Sequence, residues 1–163
     1  MARTKFQPGQ LDPFNWTPVK AVVDGMALPS DARMGPNCGL TAMAIAAGCT
    51  LAESRAAYLK HDSKRGNNWK GGTTVTNRAL ALHDLGVVFE RITGLDGYSF
   101  LPRISLKKFC ERHAAPGKRY IVTTTGHVQI VRGNVVTDQG GKINISDYWG
   151  KRKIIKNILE IIE

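Results

Sequence analysis

The run Cys38–Ala47, Cys-Gly-Leu-Thr-Ala-Met-Ala-Ile-Ala-Ala, has no proline and is apolar on nearly every face. A helix of that kind cannot lie at a surface, so it predicts a buried helix that the rest of the chain must cover on all sides. Asn37 is its natural N-cap and Gly48 its stop. A chain of 163 residues with 42% hydrophobic content can supply that cover as one domain spanning 1–163, with no staple needed.

The flanking segments suggest how. Residues 1–36 hold five of the seven prolines, with Phe14, Trp16 and Val19 as isolated apolar anchors, which predicts an extended N-terminal arm wrapped over the domain. After the buried helix come a second helix, Leu51 to Leu59, and a polar loop, His61 to Gly72. A third helix, Val75 to Leu85, should bury Ala79, Leu82 and Leu85, and a short strand, Val87 to Ile92, follows it. A fourth helix is expected over Ser105 to His113. The period then changes: Arg119 to Thr125, His127 to Val131 and Asn134 to Thr137 are β-branched runs, the last two joined by a Gly133-Asn134 turn. Ile154, Ile155, Ile158, Leu159 and Ile162 fit a final helix better than a strand, although an edge strand also satisfies them. Helices first and an antiparallel sheet afterwards define an α+β chain with a cleft between its halves.

Composition narrows the function. The three cysteines, Cys38, Cys49 and Cys110, are odd in number and lack metal-ligand spacing, which argues against a disulfide framework or a zinc site and for a reducing compartment. No signal-peptide run is present and no apolar stretch approaches the ~18 residues that span a bilayer, so a soluble, cytoplasmic chain without membrane contact is expected. A net charge of +10 and a pI of about 9.8 favour acidic partners. The basic residues, however, fall in scattered short groups with few aromatics and no nucleic-acid motif, which makes nucleic acid an unfavoured partner.

Cys38 opens the buried helix, where unpaired backbone N–H groups and the helix dipole favour an anion, so its thiol is expected to ionise easily. His127 opens a strand after Gly126, and Asp138 closes the next strand across a tight turn. The carboxylate is expected to accept the imidazole Nδ1 proton and leave Nε2 facing the thiol, the arrangement of a nucleophile, base and orienting acid. His61, His83 and His113 have no such partner in the pattern and are expected at the surface.

These residues resemble a known superfamily. Gly35-Pro36-Asn37-Cys38-Gly39-Leu40-Thr41-Ala42-Met43-Ala44 looks like the active-site helix start of papain-like cysteine peptidases, nearest to the bacteriocin leader-processing peptidases and small phage-encoded relatives. Gly126-His127-Val128-Gln129-Ile130-Val131 with Asp138 is similar to the histidine strand and acidic partner of that group. The resemblance implies a papain-like fold, a peptide or protein substrate, attack on an amide or ester carbonyl, and no cofactor or metal. Gly71-Gly72, with Trp69 just ahead, resembles the glycine pair whose backbone binds extended substrate. Asp147-Tyr148-Trp149-Gly150 resembles the segment that carries papain's third catalytic residue and shielding tryptophan, which makes Asp147 the alternative to Asp138. One departure stands out. The family's oxyanion glutamine, six residues before the cysteine, is Ala32 here, leaving Arg33 and Asn37 as candidate oxyanion donors beside the Cys38 N–H. That departure favours a second reading, a binding protein that keeps the fold and engages a partner protein without catalysis.

Overall fold

The computed structural model describes residues 25–32, 37–62 and 70–163, and the chain there is α+β. The helices are α1 (Cys38–Ala47), α2 (Leu51–Leu59), α3 (Val75–Asp84) and α4 (Leu106–Arg112); the strands are β1 (Val88–Arg91), β2 (Arg119–Thr124), β3 (His127–Arg132), β4 (Val135–Asp138), β5 (Gly141–Asn144) and β6 (Ile155–Ile162). The strands form one antiparallel sheet in the order β1-β6-β2-β3-β4-β5.

Both sheet faces are covered, and strand alternation deals the side chains between them. Ile121, Val128, Ile130, Leu159 and Ile161 meet Leu40, Met43 and Ile45 of α1 on one face. Val122, Val131, Val136 and Ile158 meet Leu106 and Phe109 of α4 on the other. Two-sided burial explains the main correction to the sequence reading. The C-terminal isoleucines form β6, an inner strand between β1 and β2, where a helix was expected. A strand buried on both faces is apolar nearly throughout, so its spacing imitates a helix, and β-branched composition is the better guide.

Helix ends are fixed by local chemistry. Thr50, Thr74 and Ser105 each accept a hydrogen bond from the N–H three residues on, at 3.1, 3.2 and 3.1 Å. Asn37 does not cap α1; its side chain meets the Thr41 hydroxyl at 3.4 Å instead. Gly48 ends α1 in the left-handed region at φ 68°, and the buried Arg119 donates to the carbonyls of Ile45 and Ala46 at 3.1 and 3.2 Å. Of the predicted arm, 25–32 packs against this end of α1: Met26 is buried and its carbonyl accepts from the Thr137 hydroxyl at 2.9 Å. Asp31 accepts from Leu51 N and Ala52 N at 2.6 and 3.0 Å, capping α2. The rest of the arm, with Arg33, lies outside the described residues, as does 63–69 with Trp69. No helix among the described residues is long and apolar enough to cross a membrane.

Candidate active site

Tight turns build the rim of the sheet where α1 begins. Thr124 pairs with His127 across a two-residue turn in which Gly126 takes φ 71°, a conformation a side chain would strain. In the β3–β4 ladder Ile130 faces Thr137. Continuing that register puts Asp138 opposite Gln129 and makes it the diagonal neighbour of His127 on the same face.

The structure brings Cys38, His127 and Asp138 together. His127 Nε2 lies 2.9 Å from Asp138 Oδ2, and both side chains are 7% exposed. The imidazole and the Cys38 thiol line the same cleft, close enough for each to shift the other's ionisation. The nitrogens are thus assigned the other way round from the sequence expectation: Asp138 holds Nε2, which leaves Nδ1 for the thiol.

Asp138 is saturated with donors. Its Oδ2 also receives the Tyr148 hydroxyl at 2.8 Å and Trp149 Nε1 at 3.4 Å, and its Oδ1 the Gly140 N–H at 2.7 Å. Trp149 lies across the imidazole with ring centroids 4.9 Å apart, shielding the His–Asp bond from one side. Asp147 sits exposed on a 3₁₀ turn (Ile145–Asp147), so the neighbouring Tyr148 and Trp149, not Asp147, reach the site.

The charges follow from these contacts. Burial pushes the Cys38 thiol up, but the His127 hydrogen bond and charge, with the N–H groups of Val128 and Gly39, bring it below its usual value. Burial pulls His127 down, yet the bonds to Asp138 and Cys38 raise it to about 9. Burial likewise opposes ionisation of Asp138, and the His127, Tyr148 and Gly140 bonds outweigh it and hold the carboxyl below its normal range. Each shift favours the charged form of its group, a thiolate beside an imidazolium.

A cleft of about 470 Å³ opens over Cys38 and His127 and is lined by Gly71, Gly72, Arg78 and Gln139, among others. Gly71 is buried and Gly72 exposed. The Tyr58 hydroxyl accepts from Thr74 N at 2.9 Å and anchors this segment. A side chain at Gly39 would run into the Thr73 hydroxyl, so glycine after Cys38 is what lets the glycine-pair segment close on α1. Asn37 is buried beneath the helix start with its carboxamide turned to Thr41, and Ala32, with only a methyl group, offers no side-chain donor. Among the described residues no group of three or more His, Cys, Asp or Glu could hold a metal ion.

Sequence reasoning missed Tyr148 and Arg78. Arg78 left a signal: it lies in line with Leu82 and Leu85, and the buried face of α3 is Arg78, Ala81 and Leu82, displaced from the one expected around Ala79. The three histidines expected without partners all have acidic neighbours, His61 at 2.7 Å and His83 at 3.9 Å from Asp84, and His113 at 3.0 Å from Asp96. Comparison with known proteins gives no match to a family model, a curated protein or a solved structure.

Proposed function

We propose that this chain is a papain-like cysteine hydrolase acting on a peptide or protein amide, or an ester, with Cys38 as nucleophile, His127 as proton carrier and Asp138 as the residue that holds His127. The carrying observation is the continuous chain of side chains: a thiol lowered by an imidazole that is itself raised to about 9 and gripped by a saturated carboxylate 2.9 Å away. A thiolate–imidazolium pair needs no further activation and no cofactor. Attack forms the S–C bond; His127 passes its proton to the leaving nitrogen as the C–N bond breaks. Water then attacks the thioester, gives its proton to His127, and the C–S bond breaks to restore the thiolate. The Cys38 N–H, at the first position of α1 where no intrahelical acceptor exists, supplies an oxyanion donor. The helix bearing the thiol, packed against the sheet bearing the histidine, supports the papain-like architecture.

The methyl group of Ala32 favours the second reading, a protein of the same fold that binds without turnover. The two separate in one experiment, in which wild type and Cys38→Ser are incubated with a peptide library and with iodoacetamide. Cleavage by wild type alone, with Cys38 alkylated first, is the expected result. No turnover of any peptide, amide or ester, together with Cys38 labelling no faster than Cys49, refutes the hydrolase and leaves the binding protein.

A further inference from the structure

Arg78, in α3, is 2% exposed and lines the cleft, yet no acidic side chain meets it among the described residues. Its Nη1 donates to the Thr73 hydroxyl at 2.6 Å and its Nη2 to the Thr123 hydroxyl at 2.7 Å, while Nε–H has no acceptor. Burial presses its pKa below the usual value, and the acidic groups pulling it back are the Cys38 thiol and the Tyr58 phenol. A guanidinium stays charged at any working pH, and a buried charge that no carboxylate meets directly is unfavourable; the Cys38 thiolate, already engaged with His127, offsets it only through space. Two neutral hydroxyls orient this fork without neutralising it. Asn157, opposite Thr123 in the β2–β6 register and therefore on the same face of the sheet, has both carboxamide atoms without partners. The floor of the cleft thus holds a cation with one N–H unspent.

From this geometry we infer that the cleft selects substrates carrying a carboxylate, seated on the Nε edge of Arg78 within one or two residues of the carbonyl that Cys38 attacks. Position fixes that spacing, because Thr73, which holds Nη1, packs directly on Gly39 beside the nucleophile. Among the described residues, those lining the cleft include no Asp or Glu to repel or replace the incoming group. Carboxylate and guanidinium match as planar, two-bond partners, so a neutral amide of the same shape cannot substitute. The carboxylate is either an acidic side chain or a chain terminus, and the chemistry at Arg78 is common to both. The inference rests on the reading of this cleft as a substrate site, but its test does not require turnover.

Binding is measured with full-length Cys38→Ser by nuclear magnetic resonance, using three probes: acetyl-Ala-Glu-Ala-Gly-amide, acetyl-Ala-Gln-Ala-Gly-amide, and the glutamine peptide with a free C-terminus. One of the two carboxylate peptides should bind about 10- to 100-fold tighter than the neutral one, moving the Arg78 Nε–H resonance, and which one does so identifies the source of the carboxylate. In Arg78→Met the preference should vanish. Equal or absent binding of all three, an unmoved Nε–H resonance, or a preference that survives in Arg78→Met overturns the inference. The resonance is read in a chain that retains Arg78, so a misfolded Arg78→Met variant leaves the test standing. A purely structural Arg78 would give no discrimination among the three peptides. Loss of the hydrolase reading has its own signature, an unreactive Cys38 in the wild type.

Discussion

Cys38 and Cys49 stand at the two ends of α1, both half-buried and each beside a groove, yet their thiols are driven in opposite directions. At the N-terminal end the neighbours are an imidazolium and two backbone N–H groups. Just past the C-terminal end, burial and the carboxylates of Glu53 and Asp31 raise the Cys49 thiol. The positive charge that reaches that end, Arg119, is committed to the carbonyls of Ile45 and Ala46 and to Glu163 at 2.6 Å. Exposure therefore does not rank these thiols; the sign of the helix end and of its neighbours does. Cys110, on the buried face of α4, shows burial with nothing to oppose it and Glu111 adding to it, its thiol pushed up to about 12.

The most damaging way to break the contrast is to remove the imidazole. In His127→Ala the two ends of α1 keep the dipole, the Val128 and Gly39 N–H groups at one end and the Glu53 and Asp31 carboxylates at the other, but lose the imidazolium, and alkylation of Cys38 near pH 6.5 should fall about 100-fold or more, toward the rate of Cys49. Any turnover should fall by about 1000-fold or more with it, because the same group carries the proton. Competitive labelling read by mass spectrometry gives both thiols in one sample, and an unchanged Cys38 rate would show that α1 alone activates it.

The next effect is on stability. His127 is raised from about 6.5 to about 9, so its protonated form is favoured by folding, with a contribution on the order of 3 kcal/mol that is fully present below pH ~6.5 and lost as pH rises to about 9. Asp138 is lowered, so its part is present above the ordinary carboxylate range and lost as pH falls through its depressed value. The excess stability of wild type over His127→Gln should therefore be widest between about pH 4.5 and 6.5 and shrink toward pH 9, as read by urea midpoints. A gap that grows toward pH 9 would reverse the assignment of charges.

Much of this contrast was legible in the sequence, because it depends on local rules. An all-round apolar run had to be a buried helix, its first residue had to meet unpaired N–H groups, and glycine-bearing turns had to return Asp138 toward His127. What escaped depended on tertiary placement. Which imidazole nitrogen faces Asp138 is not specified by a list of strands. Tyr148 and Trp149 reach Asp138 only because the 3₁₀ turn after β5 folds back over the β4 end. The C-terminal strand read as a helix because the pattern does not show that both sheet faces are covered. Arg78 was overlooked because an arginine in a helix is assumed to face water, although its place in the line of Leu82 and Leu85 argued otherwise.

The smallest prediction sharpens the comparison from the other end. Glu53 is the leading charge acting against the Cys49 thiolate, and its side chain is exposed, so its field passes partly through water and the effect is modest. Glu53→Gln keeps the shape and leaves the Thr50 cap, which uses the Glu53 backbone N–H at 3.1 Å, in place. Asp31 is less suitable for substitution, because its carboxylate also holds Leu51 N and Ala52 N. Removing the Glu53 charge should raise the alkylation rate of Cys49 about 2- to 3-fold near pH 8 and lower the difference further in high salt. Cys38 should not respond. The helix between the two thiols is about 15 Å long at ~1.5 Å per residue, beyond the ~8 to 10 Å over which an exposed charge acts in physiological salt. A parallel change at Cys38 would mean that the two ends of α1 are coupled through the helix, and the opposite thiol shifts would then be one property of α1 with two readouts.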